Sequence, residues 1–343
     1  MRRALRPEQL ATVVATAAFV AFVALLPLAL SDFRASQFAY VGIYFIAICG
    51  LDILTGYTGL ISLGHGAFMA IGGYTTAILV SEAGWNYLVT IPIAGLVAGA
   101  VGLLLGPPSL RLSGLYLALA TFGIAVATPA ILGWDKIEGL TGGGTGINFF
   151  GDISGELGLS NNDWLYYLSW TIALALLAVA WLLLRGRIGR AFRAVRDSEV
   201  AATSSGVNLA VYKTLAFGIS AFYAGVAGAL FAIATLGYVS PQTFPVKLSI
   251  FLVVGAVAAG LGSLWGLYFG ALLIFFLPTD LTPKIIDWLN APLPKDLDPK
   301  APGVSDFVFG TVLILVMILL PMGMAGLIKR VAGLTTRLYT RPH

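Results

Sequence analysis

Charge is what this sequence has least of. Acidic and basic residues together make up 10% of its 343 residues, against 58% hydrophobic. An ordinary globular domain is ~25% charged and ~45–50% apolar. A water-facing surface for a chain of this size cannot be covered with so few charges. That excludes a soluble enzyme, a nucleic-acid-binding protein and a disordered scaffold. Cysteine is nearly absent: Cys49 stands alone in an apolar run, so no intrachain disulfide forms. Histidine occurs only as His65 and the terminal His343. No His, Cys or carboxylate cluster has metal-ligand spacing, and no nucleophile–base set is visible, so neither a metal site nor a catalytic residue is expected. Long period-2 alternation is missing too, which argues against a β-barrel.

Apolar runs fill the chain instead. A helix rises ~1.5 Å per residue, so ~20 apolar residues cross a ~30 Å hydrocarbon core. Runs of that kind lie near 10–30, 38–54, 66–81, 88–106, 113–133, 164–184, 213–236, 247–261, 264–278 and 306–327. The expectation is an all-α polytopic transmembrane bundle over 1–343, with eight to ten spans and ten as the best count. Residues 247–278 read either as two tight crossings or as one broken hairpin around Gly260-Leu261-Gly262-Ser263. The first run follows Arg2, Arg3 and Arg6. Its ~20 residues exceed the ~7–15 of a cleavable signal, so a retained span is expected.

Placing the N-terminus inside and crossing ten times puts 14 basic and three acidic residues inside, against six basic and twelve acidic outside. The excess of Lys and Arg in short inner loops favours N-in, C-in. Loops 134–163 and 279–305 then cap the outer face. Glycine is abundant, 41 in all, with small-residue stripes at helical spacing. These are Gly95/Gly99, Gly102/Gly106, Gly262/Gly266/Gly270 and Ala221/Gly225/Ala229. Such stripes let helix backbones approach closely in a bundle.

Two segments stand out. Residues 51–68 place Asp52, Thr55, Tyr57, Ser62, His65 and four glycines between two apolar runs. Each glycine weakens a helix by ~1 kcal/mol. Irregular backbone at membrane depth needs protein or a watery cavity around it. The segment is either a broken element lining a substrate path or a turn that fills the bundle, and His65 either a packed side chain or a proton relay. The second segment, 187–206, winds as an amphipathic helix. Ile188, Ala191, Phe192 and Val195 fall within an arc of about 100°, with Arg187, Arg190, Arg193 and Arg196 opposite. It either lies on anionic headgroups or docks a soluble partner.

Here a family resemblance emerges. Glu199-Val200-Ala201-Ala202, then Gly206, resembles the coupling loop of permeases in ABC importers. Gly56-Tyr57-Thr58-Gly59 with Ser62-Leu63-Gly64-His65, residues Gly114 to Thr121, and Leu140 to Ile147 resemble branched-chain amino acid permeases. Residues Gly189 to Gly206, followed by Tyr212-Lys213, look like the LivM type in particular. The resemblance covers roughly 40–330. Asp52 stands where many relatives carry Asn, Gly66 where many carry Ala, and no Ile-x-Leu-Pro follows Gly206.

The resemblance implies one permease subunit in a bacterial inner membrane. Its partners would be a LivH-type permease, two ATPase subunits and an extracytoplasmic binding protein, with lipid around it and no nucleic acid. If the broken segment lines the path, Asp52, Thr55, Tyr57, Ser62 and His65 are its candidate lining residues. The resemblance implies ATPase coupling through Ile188, Arg190, Phe192, Arg193, Val195, Glu199, Ala202 and Gly206, with Ile188, Phe192 and Val195 as the docking face. This chain would bind no cofactor itself; ATP and Mg would sit on the ATPases, and no Gly-x-x-x-x-Gly-Lys-Ser/Thr occurs here. A urea or short-chain amide permease of the same family is the nearest alternative. An ion-coupled carrier is the alternative of another class, disfavoured because only Asp52 and His65 are ionisable at depth.

Overall fold

The computed structural model describes residues 31–281 apart from 113 and 150–159, with scattered residues nearer both ends. The expected spans 10–30 and 306–327 lie mostly outside the described residues. What is described is helical: α1 Asp32–Leu51, α2 His65–Ser81, α3 Tyr87–Ser109, α4 Leu115–Leu132, α5 Asn161–Arg185, α6 Arg187–Asp197, α7 Glu199–Ser204, α8 Leu209–Ala234, α9 Val246–Ala259 and α10 Leu267–Phe276. Six segments are long and apolar enough to cross a bilayer: Asp32–Tyr57, Tyr87–Ser109, Leu115–Leu132, Asn161–Arg185, Leu209–Ala234 and Pro241–Ala259. Helix α2, at 17 residues, and Leu267–Leu281 are shorter apolar helices.

Side-chain caps fix where several helices begin. Asn86, Ser160, Ser198 and Asn208 each accept a backbone N–H in the first turn of α3, α5, α7 and α8. This satisfies donors that a helix start otherwise leaves unpaired. Over 247–278 the chain forms two helices, α9 and α10, joined by a turn at Gly260 (φ 98°) and Gly262 (φ 80°). Glycine tolerates this left-handed backbone at no steric cost.

Helix α8 is the centre of the bundle, with α3, α2 and α1 packed around it. In its apolar window 83% of residues are buried, against 28% for α4 and α5. The expected glycine stripe of α3 is the seam with α8. Gly95 meets Phe222 and Val226, Gly99 meets Phe222 and the Gly218 carbonyl, Gly102 meets Phe217 and Ala221, and Gly106 meets Thr214. The numbers run in opposite directions, so the two helices are antiparallel.

Polar contacts mark the two ends. At one, Ser160 and Asn162 donate to Asp32, Arg34 pairs with Asp280 at 2.7 Å, and Trp164 donates to the Tyr87 hydroxyl. The two-residue strands β1 Ile147–Asn148 and β2 Tyr238–Val239 pair antiparallel. At the other end Arg196, Gly56 and Gly262 converge.

Candidate functional site

Helix α1 does not stop at Leu51. It widens into a π-helical turn, Asp52–Tyr57, and the chain then runs without helix through 59–64 before α2 opens at His65. A π-turn inside an α-helix is rare and frequent at functional sites. Gly56 permits it: a Cβ there would run into the Asp52 carboxylate and the Gly262 backbone nitrogen. Gly59 turns the chain with φ 75°.

The stretch 59–64 alternates between open and buried: Gly59 and Ile61 are exposed, and Leu60, Ser62 and Gly64 are buried. That is the pattern of an extended segment with one face inward. Hydroxyl groups take the backbone groups that a helix would have paired. Thr55 donates to the Leu60 carbonyl at 3.1 Å, and Thr58 to the Leu54 carbonyl. The Thr121 hydroxyl receives the Leu63 N–H at 2.9 Å, and Ser249 receives the Gly66 N–H at 2.9 Å. Irregular backbone is tolerable here because protein satisfies it.

Asp52 is fully buried, and its Oδ1 accepts the Gly262 N–H at 2.7 Å. Its Oδ2 has no hydrogen-bond partner. His65 is fully buried, with Nε2 2.7 Å from the Ser220 hydroxyl, whose oxygen is 2.7 Å from the Gly50 carbonyl. The carbonyl only accepts, so the single Ser220 hydrogen goes to it. Nε2 must then carry the hydrogen it gives to Ser220, and Nδ1 stands without a partner. His65 is thus a packed, hydrogen-bonded side chain that ties α2 to α8 and α1. Ser220→Ala should leave the buried Nε2–H of His65 unpaired and cost about 1–3 kcal/mol. Unfolding in mixed micelles checks this against exposed Ser204→Ala, which should shift stability by no more than ~0.5 kcal/mol.

The five residues expected along a path therefore divide. Asp52, Ser62 and His65 point into the chain's own interior, while Thr55 and Tyr57 are half-buried. The open face of the element belongs to Gly59 and Ile61, of which sequence reasoning singled out only the glycine.

The amphipathic helix forms as α6, turned off the end of α5 at Gly186. Its apolar stripe faces the bundle rather than a partner. Phe192 is fully buried, edge-on to Tyr212 with ring centroids 6.4 Å apart, Val195 is buried, and Ile188 is half-buried. The residues expected as a docking face, Ile188, Phe192 and Val195, pack against α8 and the end of α5 within the chain. Ala202 is buried as well. Arg190, Arg193, Glu199 and Gly206 are exposed, together with Val200 at 79%. Arg193 donates to the Leu184 carbonyl at 3.2 Å, and Glu199 pairs with Lys213 at 2.7 Å. Arg196 donates to the Gly56 carbonyl, joining α6 to the broken element. Sequence reasoning did not assign Arg196, Gly262, Ser220, Ser249 or Thr121 to this site. The glycine break at 260–263 was its one visible hint. Among the described residues no three His, Cys, Asp or Glu side chains could hold a metal ion.

Comparison with known proteins adds an independent observation. A family model described as branched-chain amino acid transport system / permease component matches residues 33–317. The chain is 38% identical over 256 residues to the high-affinity branched-chain amino acid transport system permease protein LivM of Escherichia coli (strain K12), covering 68% of this chain and 60% of that protein. It is 36% identical over 259 residues to the LivM protein of Salmonella typhimurium, with the same two coverages, 68% and 60%. The autoinducer 2 import system permease protein LsrC of Klebsiella pneumoniae is 33% identical over 158 residues, 44% of this chain and 41% of that one. The chain thus spans about 60% of the length of the two LivM relatives. No solved structure matches it.

Proposed function

The chain belongs to the family of branched-chain amino acid transport system permease components, and from that premise we propose that it is a membrane-spanning subunit of a bacterial ATP-driven importer for leucine, isoleucine and valine. The observation that carries this reading is the family match over 33–317, with 38% identity to a LivM protein. The site is consistent with it. A passage subunit needs a broken membrane element and a rigid cytoplasmic attachment, and the two meet at Arg196 and Gly56.

In this reading the chain crosses the inner membrane ten times, with both termini in the cytoplasm. A homologous permease lies beside it. Two ATPase subunits bind ATP and Mg and dock on α6 and α7, and a binding protein delivers substrate from outside. The docking surface comprises the exposed Arg190, Glu199, Val200 and Gly206. The buried Phe192 and Val195 hold that surface in place from behind. The path runs along 52–66, with Gly59, Ile61, Thr55 and Tyr57 toward it, and Asp52, Ser62 and His65 supporting from the interior side. ATP and loaded binding protein must favour the same bundle state for transport to be coupled.

The test is uptake by the reconstituted complex. Labelled leucine should accumulate in vesicles only with the binding protein and ATP both present. Uptake of urea without leucine would reassign the substrate to a short amide. Accumulation driven by an ion gradient without ATP would overturn the importer reading.

A further inference from the structure

Arg196 sits where two breaks in the membrane helices meet. Its Nη1 donates to the carbonyl of Gly56, inside the π-turn that follows α1. A Cβ added at Gly59 would stand 3.3 Å from its Cγ, and one at Gly262 would stand 3.0 Å from its Nη1. The side chain is therefore wedged between the glycine turn of the broken element and the glycine turn of the α9–α10 hairpin. Each of those glycines has positive φ. Directly behind the turn lies the Asp52 carboxylate. One oxygen holds the Gly262 N–H, and the other is buried without a partner. Asp52 and Gly56 are four residues apart in one turn, and Gly56 lies against the carboxylate. Among the described residues Arg196 forms no ion pair and no second hydrogen bond. A cation with spare donors thus stands beside a buried carboxylate oxygen with nothing to accept.

We propose that Arg196 is a positioning residue that carries movement of α6 into the broken membrane element, exchanging its bond to the Gly56 carbonyl for the free oxygen of Asp52. This rests on the importer reading above. In the observed arrangement Arg196 ties α6 to the turn through one carbonyl. When the ATPases draw on α6 and α7, the guanidinium moves along the turn and pairs with Asp52. The guanidinium offers five N–H donors in a fixed fork, which suits a carboxylate better than a single carbonyl. Asp52 then shifts its hold on Gly262, and the α9–α10 hairpin is released from the turn. Thus one side chain links the cytoplasmic helix to both breaks.

The experiment uses the complete importer in vesicles, with Ile61→Cys in a Cys49→Ala chain as a reporter of the open face. Leucine uptake, phosphate release and labelling of position 61 by a water-soluble maleimide are read together, with and without ATP and vanadate. Native Arg196 should show labelling that changes with nucleotide. Arg196→Ala should lose that change and move at least tenfold less leucine per ATP hydrolysed. Arg196→Lys, which keeps a donor and the charge, should retain the labelling change. Asp52→Asn should give the same defect, and the double variant should be no worse than Arg196→Ala alone. An Arg196→Ala chain within twofold of native in both readouts overturns the inference and leaves the importer reading standing. Defects that multiply in the double variant overturn the exchange. A native complex that ignores nucleotide overturns the importer reading and the inference together.

Discussion

Gly72→Ala is expected to cost the chain about 3 kcal/mol or more and to remove most of the monodisperse protein from a detergent extract. A Cβ at Gly72 would overlap the Gly225 backbone, with its carbonyl carbon and Cα both 2.6 Å away. Overpacking a tight core with added carbons costs ~1–3 kcal/mol when side chains can move aside. Here the obstacle is main chain in the central helix, so α2 and α8 must separate. Separation breaks two further contacts on the same face: Gly228 of α8 lies against the Met69 backbone, and His65 binds Ser220. Gly123→Ala is the control of identical chemistry. Nothing lies within 4 Å of its added Cβ, and α4 gains ~1 kcal/mol of helix propensity. Size-exclusion yield and thermal midpoint of the two variants check the contrast. Equal stability of both would mean that α2 does not pack on α8 as described.

The same geometry explains which parts of the fold were legible. The α3 stripe of Gly95, Gly99, Gly102 and Gly106 could be read because its spacing follows the helix period and its only plausible use is close packing. Its partner could not, since nothing in sequence spacing pairs Gly106 with Thr214. The adjacent Gly72-Gly73 pair has no such period and gave no signal, although it makes a closer approach. The break at 52–66 was visible because glycines and hydroxyls interrupt an apolar run. Which of its side chains faced inward was not, because extended and helical backbones assign faces by different periods. The split at 59–64 depends on the chain being extended there. Joining Arg196 to Gly56 across 140 residues lay beyond any local pattern. The apolar stripe of α6 was legible, but not that it packs within the chain. A helix that packs on its own bundle and one that presents to a partner share one periodicity.

That last point fixes the second large effect, which falls on Phe192. Phe192→Asp should detach α6 from the bundle and abolish ATP-driven uptake. The ring is fully enclosed by its own chain, edge-on to Tyr212, with Val195 and Ala191 buried beside it. Replacing it removes that packing, ~3–5 kcal/mol for a truncated aromatic, and leaves an unpaired carboxylate in an apolar seat. Helix α6 has 11 residues, and isolated helices shorter than ~12–15 are marginal in water. Once unseated it should not persist as a helix. Its arginines then become good trypsin sites, and cleavage within 187–196 should be at least tenfold faster than in the native chain. Arg190→Glu places the same negative charge on the exposed side of the helix. It should leave trypsin resistance intact, because neither the Phe192 seat nor the Arg193 bond to Leu184 is touched. Any loss of uptake in that variant then reports contact with the ATPases alone. The two variants separate support from contact on a single helix. If Phe192→Asp kept α6 protected yet lost uptake, its side chain would be the docking surface, and the packing against Tyr212 would not be what holds the helix.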